Sequence, residues 1–226
     1  EAGAAEIVVA DGHGAGGIDP LLLDERVRLL RGWPTGWPLE LDVSYHAVAW
    51  VGQHAKAGTP YAHLAHTQSF RYVDQSINGL SVGEFGQFAL CAGELGIPAI
   101  FCSGDEAFCF EARALAPAIV AVAVKRGLTP GTGEDLDAPA YARRNLAAEH
   151  LHPAAARRLI RVGARRALGA LRAHGPEGLL VRLEPPFQRV TRFRGAAPGE
   201  PQTLDRAEHA LSVAAVLNEP FRPEPV

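Results

Sequence analysis

The sequence predicts an α/β fold in which helices flank a layered, mainly parallel β-sheet. Two observations favour this class: short apolar runs alternate with segments of helical periodicity, and the runs have the uninterrupted apolar composition of strands in parallel sheets. The chain has 226 residues, 47% of them hydrophobic and 21% charged, an ordinary balance for one globular core. We therefore expect a single domain over residues 1–226.

The elements of the first half follow from apolar runs and turn residues. A strand over Glu6–Val9 leads into a glycine-rich loop, and Leu21–Leu30 predicts a short helix. The run Ala47–Gly52 is typical of a fully buried strand. Asn78-Gly79 is a strong turn signal and predicts a hairpin.

The second half alternates helices and strands more regularly. Val82–Leu95 carries apolar residues at helical spacing, and Gly96 stands where a C-terminal cap belongs. The elements expected after it are a strand over Ala99–Cys102, a helix over Glu106–Leu115, a strand over Ile119–Val124, a loop over Gly127–Ala140, a helix over Pro153–His174, a strand over Leu179–Leu183 and a helix over Leu204–Asn218.

Charge and cysteine content restrict the partners and the compartment. A formal net charge of −3 gives no electrostatic reason to expect nucleic acid or an anionic membrane as partner, and we interpret the arginines of the Pro153–His174 helix as a solvated face. No run approaches the roughly 18 apolar residues of a membrane span. Cys91, Cys102 and Cys109 lie in apolar stretches, which predicts reduced core residues. We expect a cytoplasmic protein that binds neither nucleic acid nor membranes.

Polar residues at strand ends are the first candidates for chemistry, because open α/β sheets bind ligands at the carboxyl ends of their strands. Three predicted strands end this way, at Asp11 and His13, at His54, and at Ser103 and Asp105. A histidine directly after a buried strand is held by a rigid element while its imidazole faces the crevice. This position favours metal ligation by His13 and His54.

Other acidic and histidine residues leave alternatives open. Glu84, in the first turn of the Val82–Leu95 helix, is either an acid stabilised by the helix dipole or a carboxylate ligand beside the imidazoles. His63 and His66 are three residues apart, and spacing does not decide which of them faces the crevice. His46 is expected to be structural.

Four motifs occur in a fixed order along the chain. They are Asp-Gly-His-Gly at 11–14, Gly-Gln-His-Ala-Lys-Ala-Gly-Thr-Pro at 52–60, Leu-Ala-His-Thr at 64–67 and Asn-Gly-Leu-Ser-Val-Gly-Glu-Phe-Gly at 78–86. With these motifs in this order, the chain resembles the D-aminopeptidase family of zinc peptidases. The resemblance implies that His13 binds one zinc ion, that His54 and Glu84 bind a second, and that His66 is the catalytic histidine near the scissile bond.

One family motif has no counterpart in this sequence. The family opens with a strand ending in Asp-x-Glu-Gly, whose acidic pair completes the metal site, and no such motif occurs here. The chain thus supplies three ligands where the resemblance implies at least five protein contacts. We expect an N-terminal segment that carries the acidic pair to be missing.

The resemblance also implies an activity and an assembly. The expected enzyme is a metallo-aminopeptidase with two Zn²⁺ ions per subunit that hydrolyses short peptides with an N-terminal D-amino acid, such as D-Ala peptides, through metal-activated water attack assisted by His66. The expected assembly is a homo-oligomer, a decameric ring. An alternative is a non-catalytic binding or scaffold subunit on the same fold. A third is a different hydrolase, either with a single metal ion or with Ser103 as nucleophile, although the Gly-x-Ser-x-Gly elbow is lacking.

Overall fold

The computed structural model describes residues 2–12, 16–33 and 35–226. Its strands are β1 (Val8–Asp11), β2 (Arg28–Arg31), β3 (Val48–Gln53), β4 (Tyr72–Ile77), β5 (Leu80–Ser81), β6 (Ala99–Asp105), β7 (Val120–Gly127), β8 (Ala148–His150), β9 (Phe187–Phe193), β10 (Thr203–His209) and β11 (Glu224–Pro225). Its α-helices are α1 (Glu84–Glu94), α2 (Glu106–Leu115), α3 (Ala138–Arg144), α4 (Pro153–His174) and α5 (Val213–Asn218).

A four-stranded sheet in the order β3-β6-β7-β8 positions the candidate site. Strands β3, β6 and β7 run parallel, and the short β8 is antiparallel to β7. Every residue of β6 is buried, and helices α1, α2 and α4 pack on the sheet. The predicted α/β class, with layered helices on a mostly parallel central sheet, is confirmed. Within the described residues, no helix is both long and apolar enough to cross a membrane.

A second sheet, which the sequence did not predict, is antiparallel and has the order β11-β10-β9-β4-β5. Strand β9 lacked an apolar signature because two of its inward side chains, Arg189 and Thr191, are polar. The Arg189 guanidinium is buried, pairs with Asp205 of β10 at 2.9 Å and donates to the last carbonyls of α5. The predicted helix over Leu204–Asn218 is therefore wrong in its first half, which is strand β10.

Three other local predictions are also wrong. Leu179–Leu183 forms no strand, and Leu21–Leu30 forms a 3-10 turn at Pro20–Leu22 followed by β2, which pairs in parallel with β1. Strand β3 is not fully buried, since Val51 is 69% exposed. In Leu21–Leu30, pairing of β2 with β1 outweighs the local pattern, and β3 is partly exposed because it is the edge strand of its sheet. The hairpin turn at Asn78-Gly79 is confirmed between β4 and β5.

Candidate metal centre

Three of the predicted site residues converge at the carboxyl edge of the central sheet. His54 directly follows β3, Glu84 opens α1, and His66 lies in the loop that leads to β4. One candidate ligand atom from each residue lies within 4.8 Å of the other two. The Nε2 atom of His54 is 3.4 Å from Oε2 of Glu84, the Nε2 atom of His66 is 3.6 Å from Oε1, and the two imidazoles stack with 3.9 Å between their centroids.

The backbone orients both imidazoles in the same way. Nδ1 of His54 lies 3.0 Å from the carbonyl oxygen of Ala55, and Nδ1 of His66 lies 2.7 Å from that of Leu64. In a neutral imidazole this contact places the proton on Nδ1 and leaves the lone pair on Nε2. Both lone pairs are therefore on the side of the ring that faces the carboxylate, as a shared cation requires.

The carboxylate of Glu84 is itself held in place by its neighbours. The Gln53 side-chain amide donates to Oε2 at 3.2 Å, and the backbone N–H of Gln68 donates to Oε1 at 2.9 Å. Gln68 has a positive φ of 58°, a backbone conformation that directs its N–H into the site. Apart from the two histidines, each oxygen has one protein donor and keeps a further lone pair for a metal ion.

Burial and mutual attraction oppose each other in the cluster. Burial alone would raise the pKa of Glu84, but the hydrogen bond and charge of His54, with the charge of His66, lower that pKa to about 2. Burial would lower the pKa of His54, yet the hydrogen bond and charge of Glu84 outweigh it and raise the pKa. A cation bound at the cluster would compete with a proton for Nε2 of His54, since both are attracted by the Glu84 carboxylate.

Glu111 is a supporting residue that sequence reasoning missed. Its Oε2 atom accepts a hydrogen bond from the backbone N–H of Lys56 at 2.9 Å, and its carboxylate also accepts from the N–H of Gly83. It therefore links the backbone two residues after His54 to the residue directly before Glu84. Burial raises the pKa of Glu111 despite these bonds. The available signal was an acid placed beside Ala112, on the inner side of the otherwise apolar middle of α2.

We expect Glu111→Gln to weaken metal binding about 10–100-fold, the usual effect of losing a partner behind the ligands. The amide nitrogen of glutamine would face one of the two backbone donors, so the two ligand segments would no longer be linked through one acceptor. Zinc affinity measured by competition with a chromogenic chelator checks this. Glu106→Gln, an exposed acid in the same helix, is the control and should bind zinc as the parent does. Equal zinc affinity in both variants would contradict a role of Glu111 in metal binding.

Gly104 allows β6 to approach β3 beside His54. Its φ is +155°, and a Cβ atom there would overlap the carbonyl oxygen of Gln53. We expect Gly104→Ala to destabilise the fold by about 1–3 kcal/mol or more, since alanine suits neither the conformation nor the space. Gly169→Ala is the matched control, because Gly169 lies in α4, where an added Cβ atom would meet nothing within 4 Å, and alanine favours the helix. Urea unfolding of both variants checks the contrast.

Asp11 and Asp105, which the sequence also singled out, lie within the described residues and do not join the cluster. His13 lies outside the described residues. Asp11 is buried and pairs with Arg31 at 3.2 Å, which is a structural role. Asp105 caps α2, accepting from the N–H of Ala107, and with its other oxygen accepts from the N–H of His63 at 2.8 Å.

The structure gives Ser103 no access to a substrate. It is 0% exposed, and its hydroxyl has no hydrogen-bond partner among the described residues. A nucleophile needs an adjacent base and an approach path, and neither is present in the described surroundings of Ser103. The alternative of a serine hydrolase therefore has no structural support.

The fold and the cluster together define an α/β protein with a candidate metal centre at the carboxyl edge of its central sheet. A family model described as D-aminopeptidase, peptidase family M55, matches residues 1–197. The chain belongs to this family, and its class is that of metallo-aminopeptidases, hydrolases of the peptide bond.

A solved structure with the same fold is the Zn-dependent D-aminopeptidase DppA from Bacillus subtilis, described as a self-compartmentalizing protease. The two chains share 22% sequence identity with a TM-score of 0.75, over 96% of this chain and 77% of that chain. The likeness shows the fold. A search of curated proteins found no match.

Proposed function

We propose that this protein is a zinc-dependent aminopeptidase that hydrolyses short peptides with an N-terminal D-amino acid, such as D-Ala peptides. The observation that carries the proposal is the convergence of His54, His66 and Glu84, which lie in separate segments of the chain. Membership of the D-aminopeptidase family supports the substrate class. The description of DppA as Zn-dependent supports the metal.

The donor set fits zinc. Two imidazole nitrogens and a carboxylate oxygen are the ligands that catalytic zinc sites use, and their lone pairs face one another here. We assign His54 and Glu84 to one ion and His13 to a second, giving two per subunit. Bound zinc supplies a Lewis acid for the scissile carbonyl and an acidified water. The geometry of the cluster does not decide whether His66 is a zinc ligand or the catalytic residue. Its assignment as the catalytic residue rests on the family resemblance.

His66 is proposed to move a proton during hydrolysis. The Leu64 carbonyl fixes its Nδ1, while Nε2 faces the cluster, and the ring packs against Phe70 with 4.7 Å between centroids. An imidazole titrates near neutral pH, so Nε2 can take a proton from the attacking water and donate it to the leaving amine. Because the ring of His66 is held in place and its Nε2 faces the cluster, His66 is suited to transfer this proton.

We also propose a homo-oligomer, with a decameric ring as the specific form. The description of DppA as self-compartmentalizing supports assembly. A cytoplasmic location remains part of the proposal, supported by three cysteines that are buried and free. We also propose that residues 1–226 form a single domain.

The direct test is hydrolysis of D-Ala-D-Ala and L-Ala-L-Ala by the purified protein, before and after chelation and after zinc is restored. We expect stoichiometric zinc, hydrolysis of the D-peptide in preference to the L-peptide, loss of activity on chelation, and recovery with zinc. Hydrolysis that survives chelation contradicts the metal-dependent route. A protein that neither binds zinc nor hydrolyses either peptide would instead match the scaffold alternative.

A further inference from the structure

A second group of nitrogen donors lies beside the metal cluster at the same sheet edge. Lys125 stands near the end of β7, in register with Asp105 of β6 and His150 of β8. The ring of His63 packs edge-on against that of His150, with 5.1 Å between centroids. Lys125, His63 and His150 form what we call the basic corner.

The ammonium of Lys125 reaches towards the metal cluster. Its Nζ donates to the carbonyl oxygen of Gly52 at 3.3 Å, which means that the side chain extends from β7 across β6 to the end of β3. Gly52 lies two residues before His54, so the ammonium stands next to the segment that carries this proposed ligand. The charge of Lys125 is also close enough to act on the pKa of His54 and of His63.

The ammonium has few partners for a half-buried cation. Within the described part of the chain, its Nζ has one carbonyl acceptor and no carboxylate in an ion pair. The nearby Asp105 directs one oxygen to the N–H of Ala107 and the other to the N–H of His63. Burial lowers the pKa of Lys125 and outweighs the opposing charge of Asp105. A desolvated ammonium with unused N–H groups is stabilised by an anion.

His63 adds a second unused polar atom to the basic corner. Its Nδ1 is buried and has no hydrogen-bond partner among the described residues. Burial, followed by the charges of Lys125 and His150, lowers the pKa of His63, so this imidazole is neutral near pH 7 and can donate through one nitrogen. The corner therefore offers hydrogen-bond donors, and the carboxylate of the nearby Asp105 already accepts two backbone hydrogen bonds.

We propose that Lys125 binds the C-terminal carboxylate of a dipeptide substrate whose scissile bond lies at the His54–His66–Glu84 cluster. This inference rests on the proposed function and narrows its substrate class. In a dipeptide, the carboxylate is one residue beyond the scissile carbonyl, so an anion subsite beside the metal ligands suits that length. Longer peptides and C-terminal amides place no charge at the same point.

Binding without turnover tests the inference. Chelator-treated protein is titrated by calorimetry with D-Ala-D-Ala and with D-Ala-D-Ala amide, for the parent, Lys125→Met and the control Arg126→Met. Arg126 is the next residue, an exposed cation paired with Glu149. We expect the parent and the control to prefer the free acid at least about tenfold, in line with a charged hydrogen bond, and Lys125→Met to lose that preference.

Three results overturn the inference: equal affinity of the parent for acid and amide, a preference that survives in Lys125→Met, or no binding of either ligand. Hydrolysis assays run in parallel keep the two proposals apart. A Lys125-dependent preference in a protein that hydrolyses neither ligand with zinc supports the subsite and contradicts the aminopeptidase proposal. Zinc-dependent hydrolysis together with a preference for the free acid that does not depend on Lys125 supports the aminopeptidase proposal and contradicts the subsite.

Discussion

Glu84→Gln is expected to weaken zinc binding by more than about a hundredfold and to abolish measurable hydrolysis. Loss of a partner behind a ligand already weakens metal affinity about 10–100-fold, and the loss of a charged ligand exceeds that. The substitution keeps the shape of the side chain but removes the negative charge that faces both imidazoles, whose Nε2 atoms lie 3.4 and 3.6 Å from its oxygens. The measurement is zinc content after dialysis, together with the rate of D-Ala-D-Ala hydrolysis.

The control for this substitution is Glu94→Gln, which changes an exposed acid in the last turn of the same helix. It should retain zinc and activity, because Glu94 contacts α5 rather than the cluster. If Glu84→Gln also keeps full zinc content and activity, Glu84 only stabilises the start of α1 through the helix dipole, which was the other interpretation open from the sequence.

His66→Gln is expected to separate catalysis from metal binding. We expect kcat to fall about 10²–10⁴-fold, the usual contribution of a general acid or base, while zinc content stays close to that of the parent. A side-chain amide does not transfer protons near neutral pH, although it can occupy the same space beside Phe70. Steady-state kinetics and metal analysis of the same preparation check this prediction.

His46→Gln is the control, since His46 is exposed and lies outside the cluster. Loss of zinc in His66→Gln would make His66 a ligand, a role that its position 3.6 Å from Glu84 also permits. An unchanged kcat would remove His66 from the mechanism altogether. The two variants therefore decide between roles that the geometry of the cluster leaves equivalent.

The helices that the sequence predicted best are those that have both a helical spacing of apolar residues and capping residues at their ends. The bounds of α2 and α4 match the structure, because Asp105 and His152 cap their first turns and Gly175 follows the end of α4. Strand β9 was missed because its buried Arg189 is stabilised by an ion pair with Asp205 and by carbonyls of α5, which come from distant parts of the chain. No local pattern contains those partners.

The candidate site was predictable only in part for a similar reason. The position of His54 follows from one strand, whereas the choice of His66 over His63 depends on the loop between them and β4, where Leu64 and Gln68 have positive φ. That loop directs His66 to Glu84 and His63 to His150. Without the family resemblance, the three-residue spacing of His63 and His66 does not indicate which of them faces Glu84. Glu111 was missed because its partners are backbone groups.

The proposed function depends on His54 and Glu84 binding one zinc ion at the carboxyl edge of the β3-β6-β7-β8 sheet. A crystal structure of the zinc-loaded protein, with data collected on both sides of the zinc absorption edge, tests this most directly. We expect an anomalous zinc peak within bonding distance of Nε2 of His54 and of a Glu84 carboxylate oxygen. A fully loaded crystal with its zinc peaks elsewhere, and with His54 still paired to Glu84, would contradict it.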